Sequence, residues 1–160
     1  MKLDMLVKLY DLPDNIPGLK ELKKQGILIK RALPVDKHRI IEFIKDTFSK
    51  GWASECDTCF SNKPVTCFIA VKEKKIIGFA CYDATARNFF GPMGITYTYR
   101  GKGIGRVLLL KCLLSMKEAE YAYAIIGCVD DAVEFYHKTV NAIIIDDSFP
   151  GIFSRMISAE

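Results

Sequence analysis

The order of apolar patterns along this chain predicts an α/β fold with a mixed, mainly antiparallel central sheet flanked by helices. Three observations carry that expectation. Short β-branched and aliphatic runs alternate with longer segments whose apolar residues recur at helical spacing. Two of the runs are joined by nothing more than Lys72-Glu73-Lys74-Lys75, a hairpin connection that rules out an all-parallel sheet. Three glycines in Gly101-Lys102-Gly103-Ile104-Gly105 separate a strand-like run from the longest helical pattern. The 160 residues suit one domain, and 50% are hydrophobic, enough to fill a core.

Residues 1–26 are expected to form a helical extension packed on a main domain of residues 27–160. The extension carries a short helix near the start and another over Leu19–Lys24, punctuated by Pro13, Pro17, Gly18 and Gly26. Ile27–Ala32 is aliphatic and strand-like, and Pro34 stops it. Asp36 is placed to cap a helix bearing Ile40, Ile41, Phe43, Ile44 and Phe48. Gly51 breaks that helix, and Trp52–Ser61 forms a shorter one. Val65–Val71 and Ile76–Asp83 make the hairpin. A loop over Ala84–Phe89 leads to a strand over Phe90–Thr98. The glycine turn then opens a long helix to about Glu118, with a broad apolar face of Ile104, Val107, Leu108, Leu110, Leu113 and Leu114. Ala122–Gly127 is a strand, and Asp130 or Asp131 is placed to cap a helix over Ala132–Lys138. Ala142–Asp146 is a strand, and a Pro150-Gly151 turn precedes a last apolar segment, Ile152–Ile157. From Ile27 onward the expected order is β-α-α-β-β-β-α-β-α-β.

The formal net charge of +4 is a mild excess, spread over groups such as Lys23-Lys24, Lys30-Arg31 and Lys72-Lys74-Lys75. That pattern suits a solvated surface and a small anionic ligand better than a nucleic acid. No apolar run reaches the roughly 18 residues of a membrane span. The first fifteen residues meet Asp4 early and lack a cleavage pattern. The expected location is therefore cytoplasmic, with no membrane or nucleic-acid partner; a homodimer is left open. Six cysteines are present. Cys67, Cys81, Cys112 and Cys128 lie in apolar or strand-like contexts, where a thiol acts as a small hydrophobe. Cys56-Asp57-Thr58-Cys59 has CxxC spacing but no second such pair, and the only histidines are His38 and His137. A zinc site would need scattered residues, so reduced structural thiols and no metal are expected.

The sharpest local feature is Tyr99-Arg100-Gly101-Lys102-Gly103-Ile104-Gly105-Arg106, between a strand and a helix. Its glycines let the backbone turn tightly and approach a ligand. Amides at a helix start lack intrahelical acceptors and face the positive end of the helix dipole, a setting for a pyrophosphate. Lys102 and Arg106 add positive charge. The spacing is not that of a P-loop, GxxxxGK[ST], nor of a dinucleotide GxGxxG in an early β-α-β unit. A strand–helix turn without a ligand is the remaining alternative.

Arg100-x-x-Gly103-x-Gly105 resembles the acetyl-CoA motif R/Q-x-x-G-x-G/A of the GNAT superfamily of N-acetyltransferases. Ile29-Lys30-Arg31-Ala32-Leu33-Pro34-Val35-Asp36 is similar to that family's first strand and helix cap. Ile76-Ile77-Gly78-Phe79 resembles its third strand, and Phe135-Tyr136-His137-Lys138 its FYxK stretch. Together these span roughly residues 27–146 in family order. The resemblance implies a GNAT-like sheet. It implies acetyl-CoA as co-substrate, with its pyrophosphate on the loop formed by Arg100, Gly101, Lys102, Gly103, Ile104, Gly105 and Arg106. It implies pairing of the pantetheine with Met93, Ile95 and Thr96, and a backbone N–H near Ile95 holding the oxyanion. It also implies that Tyr136 protonates the departing thiolate; a core tyrosine bonded to a buried carbonyl is the alternative. Three departures stand out. Val140-Asn141-Ala142 replaces the usual Gly-Phe, the fourth strand lacks a glutamate base, and Cys128-Val129-Asp130-Asp131 is a short connection.

No general base is therefore marked. Glu55, in the short second helix, and Asp83, at the end of the third strand, are candidates on the acceptor side; either suits capping or solvation equally well. Trp52, the one tryptophan, lines the acceptor pocket or simply packs. His137, one residue from Tyr136, faces elsewhere on its helix, and His38 falls on a polar face. The function implied is transfer of an acetyl group to a primary amine of a small molecule. The alternatives are a protein acetyltransferase acting on N-termini or lysines, and a non-catalytic CoA-binding regulatory module.

Overall fold

The computed structural model describes residues 2–158. Met1, Ala159 and Glu160, at the outer ends of the two expected units, lie outside the described residues. The elements are β1 (Leu3–Lys8), α1 (Leu19–Lys24), β2 (Ile27–Arg31), α2 (Lys37–Thr47), α3 (Lys50–Cys59), β3 (Cys67–Lys72), β4 (Lys75–Tyr82), β5 (Phe89–Ile95), α4 (Ile104–Glu118), β6 (Tyr123–Val129), α5 (Val133–Val140) and β7 (Ile143–Ile145). From β2 onward this is the expected order. The strands form one seven-stranded sheet in the order β2-β3-β4-β5-β6-β1-β7. Every pairing is antiparallel except β5 with β6.

The expected helix near the start is instead β1. Met5 and Val7 are buried at the two-residue period of a strand. The segment pairs with β6 on one edge and β7 on the other, Leu6 facing Ile125 and Ile143. Asp4, itself buried, ties the strand down: its N–H donates to Ser148 Oγ at 2.8 Å, and its Oδ1 accepts the Cys128 N–H at 2.9 Å. The opening residues thus supply a strand of the sheet, and the helix over Leu19–Lys24 alone matches the helical extension that was expected. Two expected caps also differ. Asp36 precedes α2 without a side-chain capping bond, and α5 starts after Ala132 rather than after Asp130 or Asp131. A cap not expected is Ser49, whose Oγ accepts the Trp52 N–H at 3.1 Å and opens α3.

The central strands are covered on both faces, so their side chains alternate between two cores. Phe68, Ala70, Ala80 and Phe90 join the core beneath α4, whose Leu108, Leu109, Leu113 and Met116 are fully buried. Cys67, Ile69, Phe79 and Cys81 join the core beneath α2 and α3, with Ile40, Ile44, Ala53, Cys56 and Cys59. On this second face Phe48 packs 5.6 Å from Phe79 and 5.4 Å from Trp52, ring centre to ring centre. The far end of its ring abuts Gly94 of β5, where an added Cβ would come within 2.6 Å of it.

Gly94→Ala should therefore expel the Phe48 ring and cost about 1–3 kcal/mol. In a chain of this size that is a fall in melting temperature of roughly 3–10 °C. An unchanged melting curve would mean that Phe48 does not rest on Gly94.

Candidate functional site

The site begins where one strand loses a neighbour. β5 and β6 pair through Phe89 with Ile125 and Phe90 with Ile126 and then part. On its other edge β5 stays paired with β4 as far as Ile95 opposite Gly78. The local sequence accounts for the parting. Phe90 lies opposite Tyr82 and Met93 opposite Ala80, so Gly91-Pro92 carries an extra residue, a bulge. Gly91 has φ 110°, open to glycine, and Pro92 has no N–H to continue a ladder.

Beyond the bulge the backbone direction is fixed. The Thr96 N–H donates to Ile77 O at 2.9 Å. In an antiparallel pair such bonded positions alternate, so Gly94 also bonds to β4, while Met93 and Ile95 turn their N–H and C=O groups into the gap beside β6. Met93 and Ile95 thus present a free strand edge. Thr96 does not, because its N–H and its Oγ1, at 3.2 Å, are both given to Ile77 O.

At the end of this edge lies the glycine turn. Gly101 and Gly103 have φ 78° and 85°, conformations that L side chains rarely adopt. A Cβ at either would meet nothing within 4 Å, so the backbone there is bare. Gly103 starts α4 in the left-handed region. Among the described residues, no protein group accepts a hydrogen bond from the amides of residues 101–106. These amides, the dipole of a 15-residue helix and the exposed Lys102 and Arg106 make a cradle for an anion. Not every residue of the motif takes part in the same way. Ile104 is buried and offers its amide alone; a Cβ added at Gly105 would meet the Met93 side chain at ordinary contact distance, 3.7 Å. Arg100 turns inward, its Nε donating to Ile95 O at 3.2 Å and its guanidinium 5.6 Å from the Tyr97 ring centre. The Nε bond ties the loop to the end of β5 and leaves the rest of the exposed guanidinium unpaired among the described residues.

Tyr136 stands at the fork. Its ring packs on Phe90, the last residue of β5 paired with β6, at 6.4 Å, and on Phe135 at 5.1 Å. Among the described residues its hydroxyl has no hydrogen-bond partner, so no buried carbonyl holds it. Burial pushes its phenol up to about 12, and the hydroxyl keeps its proton across neutral and mildly alkaline pH.

On the other face, α3 packs against β4 and β5 and carries Trp52 and Glu55. Trp52 is 37% exposed and stacks on the Phe48–Phe79 cluster. Glu55 is half-buried and accepts a hydrogen bond from Thr85 Oγ1 at 2.9 Å. Burial pushes its carboxyl up, and the Thr85 bond offsets part of that. Asp83 is fully engaged: Oδ1 accepts the Asn88 N–H and Oδ2 the Tyr121 hydroxyl, each at 2.8 Å. Both oxygens thus organise the loop before β5. Thr85, Asn88 and Tyr121 carry no sequence signal of their own; the register of β4 and β5 brings them in. His137 is exposed, its Nδ1 3.2 Å from Ala142 O, and His38 lies on α2, remote from the fork. The cysteines depart from expectation. Cys56, Cys67 and Cys81, treated above as scattered, converge with their sulfurs within 4.8 Å of one another.

Residues 63–139 match the family model described as an acetyltransferase (GNAT) domain. The fold is similar to the GCN5-related glucosamine N-acetyltransferase region of a fungal multi-domain GH3 β-N-acetylglucosaminidase. The TM-score is 0.72 at 14% identity over 90% of this chain and 20% of that one. A GCN5-related N-acetyltransferase from Sphaerobacter thermophilus gives 0.69 at 17% identity, over 89% of this chain and 48% of that one. A GNAT family acetyltransferase from Brucella melitensis, solved with acetyl-CoA, gives 0.53 at 16% identity, over 68% of this chain and 80% of that one. The chain thus spans about a fifth and about half of the first two structures. At these identities the likeness is one of fold. No curated protein matches the sequence.

The Tyr136 environment makes a pH prediction. Below about pH 10 the phenol is protonated in both folded and unfolded chains, and stability is intact. Between about 10 and 12 the unfolded chain alone loses the proton, so about 2–3 kcal/mol is lost as pH rises through that window. Urea denaturation at pH 9 and 11.5 should show the wild type losing more stability than Tyr136→Phe. Equal losses would place the hydroxyl in water.

Proposed function

We propose that this chain, whose residues 63–139 match an acetyltransferase (GNAT) domain, moves the acetyl group of acetyl-CoA to the primary amine of a small molecule. One observation carries this reading: a free strand edge at Met93 and Ile95 leads from a bare amide cradle at residues 101–106 to an unpartnered hydroxyl at Tyr136. An elongated ligand with a phosphate at one end, amides along its length and a thioester at the other matches those three parts in order. The Brucella melitensis structure holds acetyl-CoA on a related fold, which supports the choice of donor.

In this reading the amides of Gly101 to Arg106 hold the pyrophosphate, with Lys102 and Arg106 adding charge. The peptides of Met93 and Ile95 pair with the pantetheine arm as a further strand would. The acetyl thioester then lies at the fork, where the N–H of Met93, the free-edge amide of β5 nearest Phe90, steadies the oxyanion in place of the expected one near Ile95, which lies at the loop end of the strand. A neutral amine attacks the carbonyl carbon, the C–N bond forms, and the C–S bond breaks. The Tyr136 hydroxyl gives its proton to the sulfur. The amine's proton passes to Glu55, directly or through water. Burial has already raised the proton affinity of that carboxylate, and Asp83 is otherwise engaged. Trp52 and Phe48, on the same face, offer aromatic surface to a cationic amine before it is deprotonated.

Two outcomes test the reading. Acetyl-CoA at a hundred times its dissociation constant should stabilise the chain by about 2.7 kcal/mol. Gly103→Val, which forces a β-branched side chain into a left-handed position on the bare cradle, should abolish that effect. A melting curve that acetyl-CoA leaves unmoved would overturn the donor assignment. With any accepted amine, Tyr136→Phe should lower kcat by about 10²–10⁴-fold while leaving the acetyl-CoA stabilisation in place. Retention of more than about a third of kcat would move the acid role to water.

A further inference from the structure

Four of the six cysteines meet at one buried point that the acyl-transfer reading does not use. Cys56 and Cys59 lie on the last turns of α3, Cys67 opens β3, and Cys81 lies near the end of β4. All four are fully buried beneath α3. Cys67 and Cys81 are direct partners across the hairpin. The adjoining pair is hydrogen-bonded, Tyr82 N–H to Thr66 O at 3.0 Å, so Cys67 and Cys81 occupy the close, non-bonded kind of pair, where side chains approach most nearly. Cys56 reaches down from α3 to place its sulfur 3.7 Å from that of Cys67. The sulfurs of Cys56, Cys67 and Cys81 lie within 4.8 Å of one another, and Cys59, one helical turn after Cys56 on α3, is buried in the same core with its Sγ 3.9 Å from Tyr82 O, next to Cys81 in β4. The two other cysteines stand apart: Cys112 is in the core on the opposite face of the sheet, and Cys128 is on β6.

We propose that Cys56, Cys59, Cys67 and Cys81 form a structural site for a zinc ion. A tetrahedron of thiolates at about 2.3 Å from zinc sets its sulfurs roughly 3.8 Å apart; Cys56 and Cys67 already stand at 3.7 Å, Cys81 lies within 4.8 Å of both, and Cys59 would move in as the fourth ligand. A disulfide needs sulfurs about 2.05 Å apart, and none is formed. Soft donors in this number, drawn from three elements and enclosed on all sides, select a thiophilic ion, and a closed tetrathiolate leaves no position for substrate. The geometry assigns the ion a mechanical role, joining α3 to the β3–β4 hairpin. Glu55 is the residue before Cys56, so the ion would hold in place the helix that carries Glu55 and Trp52. Loading one Zn²⁺ forms four Zn–S bonds and releases four protons from the thiols to solvent. None of this depends on acetyl transfer.

The test is elemental analysis of wild-type chain grown with zinc and purified reduced, without chelator, followed by cobalt titration of the zinc-stripped chain. About one zinc per chain is expected, as is an intense near-ultraviolet thiolate-to-cobalt charge-transfer band. Cys56→Ser and Cys81→Ser should each lose the zinc, and Cys128→Ser, outside the cluster, should keep it. Should the serine variants fail to fold, the wild-type cobalt spectrum decides alone. A folded, fully reduced chain that contains no zinc, gives no cobalt band and melts at the same temperature with and without Zn²⁺ would overturn the site. So would an intact mass two hydrogens short, which would show a disulfide in its place.

Discussion

A strand that keeps one neighbour and loses the other sets the rest of this molecule in order. β5 must hold β4 firmly enough to stay a strand, yet it must release β6 after Phe90. Gly91 and Pro92 do both, one by adopting a φ closed to other residues and one by withholding a donor. The peptide groups of Met93 and the N–H of Ile95 are then left without a strand partner at the centre of a sheet, where unpaired backbone is costly unless water or a ligand satisfies it, while Ile95 O is taken by Arg100. Glycine at 94 lets the Phe48 ring lie on the other face of the same strand, so one short segment supports both the gap and the aromatic floor under Trp52.

The anion cradle depends on the same strand. Arg100, bonded to Ile95 O, fixes the loop to the end of β5, so the bare amides of residues 101–106 continue the line of the free edge. That arginine thus has a bracing role whatever else its exposed guanidinium does, and Lys102, Arg106 and the helix dipole add positive charge near the cradle. Tyr136 enters from α5 and closes the far end against Phe90. Its unmet hydroxyl and its high proton affinity have one origin, the apolar wall at the fork.

Much of this was legible in the sequence where the cause is local. From Ile27 to Ile145 the periodicities and breakers place every strand and helix in order, and the positive-φ glycines at 101 and 103 announce the turn. The resemblance to GNAT proteins placed Tyr136, which no spacing rule would single out from the other tyrosines. What escaped is what distance along the chain conceals. Leu3–Lys8 is a strand because it pairs with β6 and β7, with Leu3 opposite Val129. Asp83 read equally as a base, a cap or a solvated side chain, and its partners Asn88 and Tyr121 come from a loop and a helix end that the sequence does not bring together. The cysteines looked scattered because their meeting depends on the β3–β4 register and on how α3 lies across it. Thr96, adjacent to the free edge in sequence, faces the wrong way by the alternation of the ladder.

The central claim is that one continuous run of backbone, from Met93 to Arg106, receives an extended acyl donor. Backbone amide NMR during titration with acetyl-CoA tests it most directly. The account predicts that the amides of Met93, Ile95 and residues 101–106 shift together and become protected from exchange. The Thr96 amide, held by Ile77, should stay protected throughout. Saturable shifts confined to other elements, such as α2 and the outer strands, with residues 93–106 unmoved, would contradict it.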